Sequence, residues 1–341
     1  MPARGTRFTR KIAGRMPALP VIVGRRLGLA SRASLPHLLE SWQLKLETPP
    51  MKVSGFTFLR NGQKLGYPFV ASIRSILPVV DEFVIALGPC GDDTEKMLRG
   101  IGDPKIRIIP TQWNERVRSD YSVKGFVFGQ QKSIALFNCT GDWAFYLEAD
   151  EVLPESDLPK IRGTMEKYLD DDRVEALAFD YLHFYGNQNT IAWSPGWYRS
   201  EVRIVRNTIP AWSSESLFFN IIASHKKSRY PRAAHTGATI FHYGWVRSEA
   251  QMNLKTSEIQ RHWVEKPVPP ADYSKIDPAT LKLFTGTHPK VVQDWLPKAE
   301  GIFCADPHHR LTAREKKHRR LLWLEKTFGW RFNKKHYRLV S

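Results

Sequence analysis

Cysteine is scarce in this 341-residue sequence: Cys90, Cys139 and Cys304 are all there is, with no CxxC pair and no His/Cys cluster at zinc spacing. That excludes a disulfide framework and a finger-type structural zinc, and it points to a reducing compartment. Long apolar runs are missing too. Leu19 to Val23 is interrupted by Pro20 and followed by Gly24, Arg25 and Arg26, too short to span a bilayer and poorly built as the core of a signal peptide. No other stretch approaches the roughly 18 apolar residues of a membrane helix. A cytoplasmic protein is expected, with peripheral contact to the inner membrane face as a variant. The first strand is not followed by a glycine-rich basic loop, since Arg60-Asn61-Gly62-Gln63 matches such a loop poorly. This counts against a nucleotidyltransferase. Hydrophobic residues at 42% and charged residues at 25% exclude global disorder.

A net charge of +17 suggests nucleic acid until the charge is located. Residues 1–50 hold nine Lys/Arg and two Glu, and residues 308–341 hold eleven and two. Between them 31 Lys/Arg face 30 Asp/Glu. A nearly neutral body with two basic ends fits contact with an anionic surface better than a basic cleft. No recognised nucleic-acid module is present and the aromatics lie away from the basic runs, so a nucleic-acid partner is not expected.

Residues 1–50 read as a basic leader or an over-extended start, with Met51 as the alternative first residue. From Val53 onward, strands alternate with helices. Val53 to Leu59, Phe83 to Leu87, Ile106 to Pro110 and Trp143 to Leu147 are predicted strands. Tyr67 to Leu77, Thr94 to Arg99 and Val127 to Phe137 are predicted helices. This alternation predicts an α/β fold with a parallel sheet built from right-handed crossovers. Beyond Glu151 the pattern becomes mixed, with a helix over Leu158 to Leu169 and strands over Ala176 to Phe184, Val202 to Val205, Asn220 to Ser224 and Ala238 to His242. Thr312 and Glu315 form a T-x-x-E capping box opening a helix to Phe328, with an apolar stripe of Leu321, Leu322, Leu324 and Phe328 and a basic opposite face. That helix is either interfacial or packed on the domain.

The sharpest local signal is Asp142-Trp143-Ala144-Phe145-Tyr146-Leu147-Glu148-Ala149-Asp150-Glu151, an apolar strand running into three carboxylates. Ligands bind at the C-terminal edge of a parallel sheet. Carboxylates at i and i+2 there can share Mg²⁺ or Mn²⁺, which in turn bridges phosphate oxygens. The same residues also read as a solvated acidic loop.

The order of these elements, with E-A-D-E in the place of a D-x-D motif and Gly141-Asp142-Trp143 leading in, resembles the nucleotide-binding half of family 2 glycosyltransferases over residues 51–155. The resemblance implies a GT-A fold: a mostly parallel central sheet flanked by helices, a mixed acceptor-side half over 156–307, and the basic C-terminal helix over 308–341. It implies a metal-dependent, inverting transfer from a nucleotide-diphosphate sugar to a glycan or lipid-linked acceptor, with Mn²⁺ or Mg²⁺. On this reading Asp150 is the direct metal ligand, Glu148 supports it, and Glu151 is left for outer or acceptor contacts. Lys132 and Ser133 stand where the family carries Arg-Asn. Leu87-Gly88-Pro89 replaces the usual base-contacting Asp, and Asp92, Asp93 and Thr94 resemble the tail of an S-x-D-x-T turn. Asn61, Asp92, Asp93, Lys132 and Glu148 are therefore the donor-binding candidates.

Trp197 to Arg206 and Phe241-His242-Tyr243-Gly244-Trp245 resemble segments of a bacterial branch that modifies lipopolysaccharide and other surface glycans. His242 is either the third metal ligand or a packed histidine in an aromatic cluster. Glu215 is the first candidate for the base that takes the acceptor proton, Glu201 the second and Asp180 a rival. Arg203, Arg206, Arg247 and Lys255 are candidates for diphosphate or an anionic acceptor. Trp193, Trp197, Tyr198, Trp212 and Trp245 are candidates for stacking on sugars, although aromatics at this density also fill cores. An inactive scaffold is the remaining alternative.

Overall fold

The computed structural model describes residues 50–117, 124–260, 262 and 268–340. The leader expected over 1–50 lies, except for Pro50, outside them. The first strand, β1 (Val53–Leu59), pairs in parallel with β2 (Glu82–Leu87), which pairs in parallel with β3 (Ile106–Pro110). The crossovers are α1 (Phe69–Ile76) and α2 (Thr94–Arg99). A third helix, α3 (Phe126–Phe137), leads to β4 (Trp143–Tyr146), which returns to the other side of β1, again in parallel.

β1, β2 and β4 are apolar on both faces and covered on both, while the edge strand β3 keeps Arg107 exposed. Phe83, Ile85 and Leu87 join α1 in one core, while Val84 and Ala86 join Ala135 and Leu136 of α3 in another. β4 divides in the same way, Trp143 and Phe145 to the first core and Ala144 and Tyr146 to the second.

The second half begins with β5 (Glu151–Val152) and α4 (Leu158–Lys167), followed by β6 (Ala176–Tyr185), β7 (Asn187–Ala192) and β8 (Ser200–Arg206). β8 inserts antiparallel between β4 and β6, so both halves share one sheet. β9 (Ala211–Trp212), β10 (Asn220–Ser224) and β11 (Lys227–Arg229) make a small separate sheet. β12 (Arg232–Trp245) is far longer than the strand expected over Ala238 to His242; it runs parallel to β6 and antiparallel to β5. α5 (Glu249–Gln260), β13 (Leu281–Leu283), α6 (Ala313–Phe328) and β14 (Arg338–Leu339) complete the chain. The α6 capping box forms as expected from Thr312 and Glu315. The sheet is thus parallel through β4-β1-β2-β3 and mixed beyond. Among the described residues no helix is long and apolar enough to cross a membrane.

Candidate functional site

Strand β4 ends in the carboxylate loop, and the loop is held from three sides. From α1, Ser72 Oγ donates to the Glu148 carbonyl at 2.9 Å and Ser75 Oγ accepts from the Leu153 amide at 3.1 Å. From β8, Arg203 reaches across with its side chain fully buried. From β12, the Tyr243 amide donates to the Asp150 carbonyl at 2.8 Å.

Each carboxylate has a different environment. Glu151 is fully buried and accepts from Arg203 Nε at 3.0 Å, Arg203 Nη2 at 2.7 Å, the Tyr181 hydroxyl at 2.9 Å and the Glu148 amide at 3.0 Å. Such a two-pronged guanidinium pair fixes geometry as well as charge. Glu151 is therefore committed to the framework, which rules out the acceptor contact expected of it. Glu148 faces Arg203 Nη2 at 3.4 Å and lines a cavity. Burial, then the nearby Glu151 and Asp150 charges, pushes its pKa up to about 8 despite Arg203. Asp150 goes the other way. Burial alone would raise it, but the Lys255 and Arg247 cations hold its carboxyl well below the usual carboxylate range. Its Oδ2 takes Lys255 Nζ at 3.1 Å and Arg247 Nη2 at 3.4 Å.

The other oxygen, Asp150 Oδ1, faces His242 Nε2 at 3.8 Å. The β12 register explains why, because His242 pairs with Glu151 on one side and with His183 on the other. His183 Nε2 lies 2.6 Å from the Tyr198 carbonyl, and His183 Nδ1 lies 3.0 Å from His242 Nδ1. A carbonyl only accepts, so His183 carries its proton on Nε2 and offers a lone pair at Nδ1. His242 must then donate from Nδ1, which leaves Nε2 bare toward Asp150. Burial lowers the pKa of both rings and keeps them neutral. Two acceptors therefore face each other across a gap. Gly244 keeps that gap open: a Cβ there would stand 2.6 Å from His242 Nε2 and 3.0 Å from Asp150 Oδ2.

These two donors fit a hard divalent cation of the kind held by few protein ligands and completed by phosphate oxygens and water. Glu148 does not join them: among the described residues no cluster of three or more His, Cys, Asp or Glu is arranged to hold a metal. The expected three-ligand set of Asp150, Glu148 and His242 is thus reduced to Asp150 and His242, because Glu148 is turned to Arg203.

The site opens into a cavity of about 250 Å³. Its aromatic walls are Phe58, Tyr67, Trp113, Phe128 and Tyr146, and its polar lining includes Arg60, Asn61, Glu148, Asp150, Ser216 and Lys255. Lys255 comes from α5, its ammonium 4.9 Å from the centre of the Tyr67 ring. Arg60 lies over Trp113 at 5.2 Å. Asn61, at φ +50°, ties the β1 loop to the β2 loop by accepting from the Gly91 amide at 2.8 Å.

Several expected residues lie elsewhere. Asp92 accepts from the Lys64 and Thr94 amides, and the Asp93 amide donates to the Gln63 side chain; both are loop fasteners outside the cavity lining. Lys132 is fully buried behind the wall, its Nζ donating to the Ser216 carbonyl at 2.8 Å and sitting 4.1 Å from the centre of the Tyr146 ring, so it is closed to a nucleotide. Glu201 is fully buried and bound to His336 Nδ1 at 2.6 Å; its carboxylate anchors the C-terminal segment and is not open to an acceptor. Asp180 lines a second, smaller cavity. Glu215 is half-buried next to the cavity residue Ser216, and burial raises its pKa against the pull of His336 and Lys132. Gly129 of α3 permits this approach, since a Cβ there would meet the Glu215 amide at 2.6 Å. Arg203 is a buried partner of carboxylates, and Arg206 donates to the carbonyls of Tyr168, Leu169, Asp171 and Val174, so neither is available to a diphosphate. Arg247 spends Nη1 on the Leu65 carbonyl and Nη2 on Asp150. None of Trp193, Trp197, Tyr198, Trp212 and Trp245 lines the main cavity. Trp197 and Trp245 pack with Tyr185, and Trp193 lies under Arg199 and Lys282.

Fold and site define an α/β protein in which, where parallel strands end, a carboxylate that lines an aromatic cavity faces a buried imidazole. No protein-family model matches the chain, and no curated protein matches it. Among solved structures, glucosyl-3-phosphoglycerate synthase from Mycobacterium tuberculosis in complex with Mn²⁺, UDP and phosphoglyceric acid is 18% identical, over 39% of this chain and 44% of that one, with a TM-score of 0.28. The same enzyme with Mn²⁺, UDP-glucose and glycerol 3-phosphate gives 18%, 39%, 45% and 0.28. A structure described as a mycobacterial protein gives 19%, 41%, 43% and 0.29. The chain spans less than half the length of these structures.

Proposed function

We propose that this chain is a metal-dependent glycosyltransferase of the GT-A kind, moving a sugar from a nucleoside-diphosphate donor to a hydroxyl of a glycan or lipid-linked acceptor with inversion. The observation that carries this reading is the gap between Asp150 Oδ1, whose residue lines the aromatic cavity, and the bare Nε2 of the buried His242. Asp150 and His242 would hold Mn²⁺ or Mg²⁺. When bound, the cation supplies charge stabilisation to the departing diphosphate. Lys255 and Arg60 line the cavity wall, each already paired with a carboxylate, Asp150 and Glu115, that a bound diphosphate would share. Phe58, Trp113 and Phe128 offer flat apolar surface for the base. An inverting transfer needs a carboxylate to take the acceptor proton. Glu215, beside Ser216 and with raised proton affinity, keeps that assignment.

A thermal-shift screen of UDP, GDP, ADP, CMP and dTDP, their sugars and the nucleoside triphosphates, with Mn²⁺, tests the reading. A ligand at a hundred times its dissociation constant stabilises the native state by about 2.7 kcal/mol. The rise is expected to need Mn²⁺ and to vanish in Asp150→Ala and Gly244→Ala. Absence of any shift across the panel would favour an inactive scaffold, and a shift with nucleoside triphosphates alone a nucleotidyltransferase.

A further inference from the structure

Helix α6 is fixed to the body along one side only. Arg319 makes two hydrogen bonds to Asp277, at 2.9 and 2.7 Å, and Glu325 receives two from Arg199, at 3.0 and 2.6 Å. Glu315 meets His309 at 3.0 Å and closes the capping box. Leu321, Leu322 and Leu324 are half-buried on this inner side. The outer side carries Lys316, Lys317, Arg320 and Trp323, all exposed. Phe328 is the last residue of the helix, and Trp330 follows just past the C-cap Gly329. Trp323, Phe328 and Trp330 are 61%, 54% and 56% exposed, which leaves three large rings in solvent within eight residues. They lie against one another: Trp323 meets Phe328 edge-on at 6.2 Å and Phe328 stacks on Trp330 at 5.1 Å.

We propose that this face is a docking surface for an anionic lipid bilayer, the three rings entering the headgroup region while the cations meet lipid phosphates. Tryptophan beside lysine and arginine on a rigid helix is the composition that binds at such an interface. Residues 308–341 carry eleven Lys/Arg against two Glu. Charge argues against other occupants. A second copy docked through the same face would set cations against cations, and residues 1–50, with nine Lys/Arg and two Glu, have the same sign. A nucleic acid would satisfy the cations, but it needs free ring faces for its bases. Here Phe328 and Trp330 each spend one face on the other, which leaves less ring surface for bases. The inference is independent of the sugar-transfer reading.

The test is flotation of the full chain with phosphatidylcholine vesicles containing about 30% phosphatidylglycerol, compared with phosphatidylcholine alone. Binding is expected only with the anionic lipid and is expected to weaken with salt. Each cation near such a surface contributes roughly fivefold, so Lys316→Gln/Lys317→Gln/Arg320→Gln should lower partitioning by on the order of a hundredfold. Trp323→Ser/Phe328→Ser/Trp330→Ser should lower it at least tenfold. Undiminished flotation of both variants would overturn the proposal, because the remaining chain would then carry the binding. So would dissociation of a native dimer by either variant, or binding to single-stranded RNA without binding to vesicles. If a variant fails to fold, hydrogen exchange on the native chain decides: vesicles should protect the amides around Trp323 to Trp330, and no protection refutes the surface.

Discussion

His183 touches neither cavity nor solvent, yet the structure makes it responsible for which nitrogen His242 presents. Consider His183→Phe. Phenylalanine suits the surroundings of Tyr181, Trp197 and Tyr198, whose rings lie about His183 at 4.5 to 5.5 Å. It removes the acceptor that His242 Nδ1–H uses at 3.0 Å. His242 is buried, so a stranded N–H costs about 1–3 kcal/mol. The ring escapes that cost by moving its proton to Nε2, where Asp150 Oδ1 waits at 3.8 Å. A protonated Nε2 fills the role of the cation and closes the site to it. Loss of such an outer partner typically lowers metal affinity about 10–100-fold. At about 1.4 kcal/mol per factor of ten, this matches the energy of one buried hydrogen bond. Mn²⁺ binding, followed by the paramagnetic resonance of the free ion, should weaken by that factor, while the melting temperature falls by only the few degrees that the stranded Tyr198 carbonyl costs. His183→Asn, whose amide oxygen can stand near the Nδ1 position, should restore most of the affinity. If His183→Phe binds Mn²⁺ within twofold of the native protein, the tautomer assignment is wrong.

The framework pair makes a harsher prediction. Glu151→Ala strands the buried Arg203 cation at a cost of about 3–5 kcal/mol, which lowers the melting temperature by roughly 6–20 °C. Glu151→Ala/Arg203→Met should recover most of the loss, and a single-variant shift under about 2 °C would show that the pair is not buried as described. The raised Glu148 gives a pH dependence of definite sign. Its folded pKa of about 8 lies above the ordinary 4.5, so the folded protein binds this proton more tightly than the unfolded chain. The resulting stability is fully present below about pH 4.5 and is lost as pH rises toward 8. Metal-free native protein should therefore lose melting temperature across that window faster than Glu148→Gln, and equal slopes would refute the shift.

The parallel half was legible because β1, β2 and β4 are apolar on both faces and α2 and α3 are bounded by Asp, Asn and Gly turns. α2 and β3 fall at their expected limits, and β2 differs by one residue. α5 is not legible because only Met252 of its residues is buried, so no apolar stripe marks it. The sequence pattern marks only the Ala238 to His242 part of β12. Its alternation is broken by a register shift between His235 and Thr239, and its N-terminal part, Arg232 to Gly237, has no apolar residue larger than alanine. The site was legible as a carboxylate cluster but not as a set of separate environments. In sequence, Arg203 and Arg206 look like phosphate ligands, whereas in the fold they are interior braces. Trp113 and Phe128 carry no mark that would set them apart from core aromatics, and His183 is one alternating residue in a buried strand. Its partnership with His242 exists only through the pairing of β6 with β12.

That pairing also governs where the chain can change length. The irregularity between His235 and Thr239 is a point where an added or lost residue in the first part of β12 can be taken up without moving the remainder of the strand. No such slack exists from Thr239 to His242, which run residue for residue against Asp180 to His183. A single insertion there would rotate the strand by one position and turn the imidazole to the opposite face. Phe241 would then stand opposite Asp150, and an apolar ring cannot answer a carboxylate. Homologous chains are therefore free to vary in length before the irregularity and constrained after it.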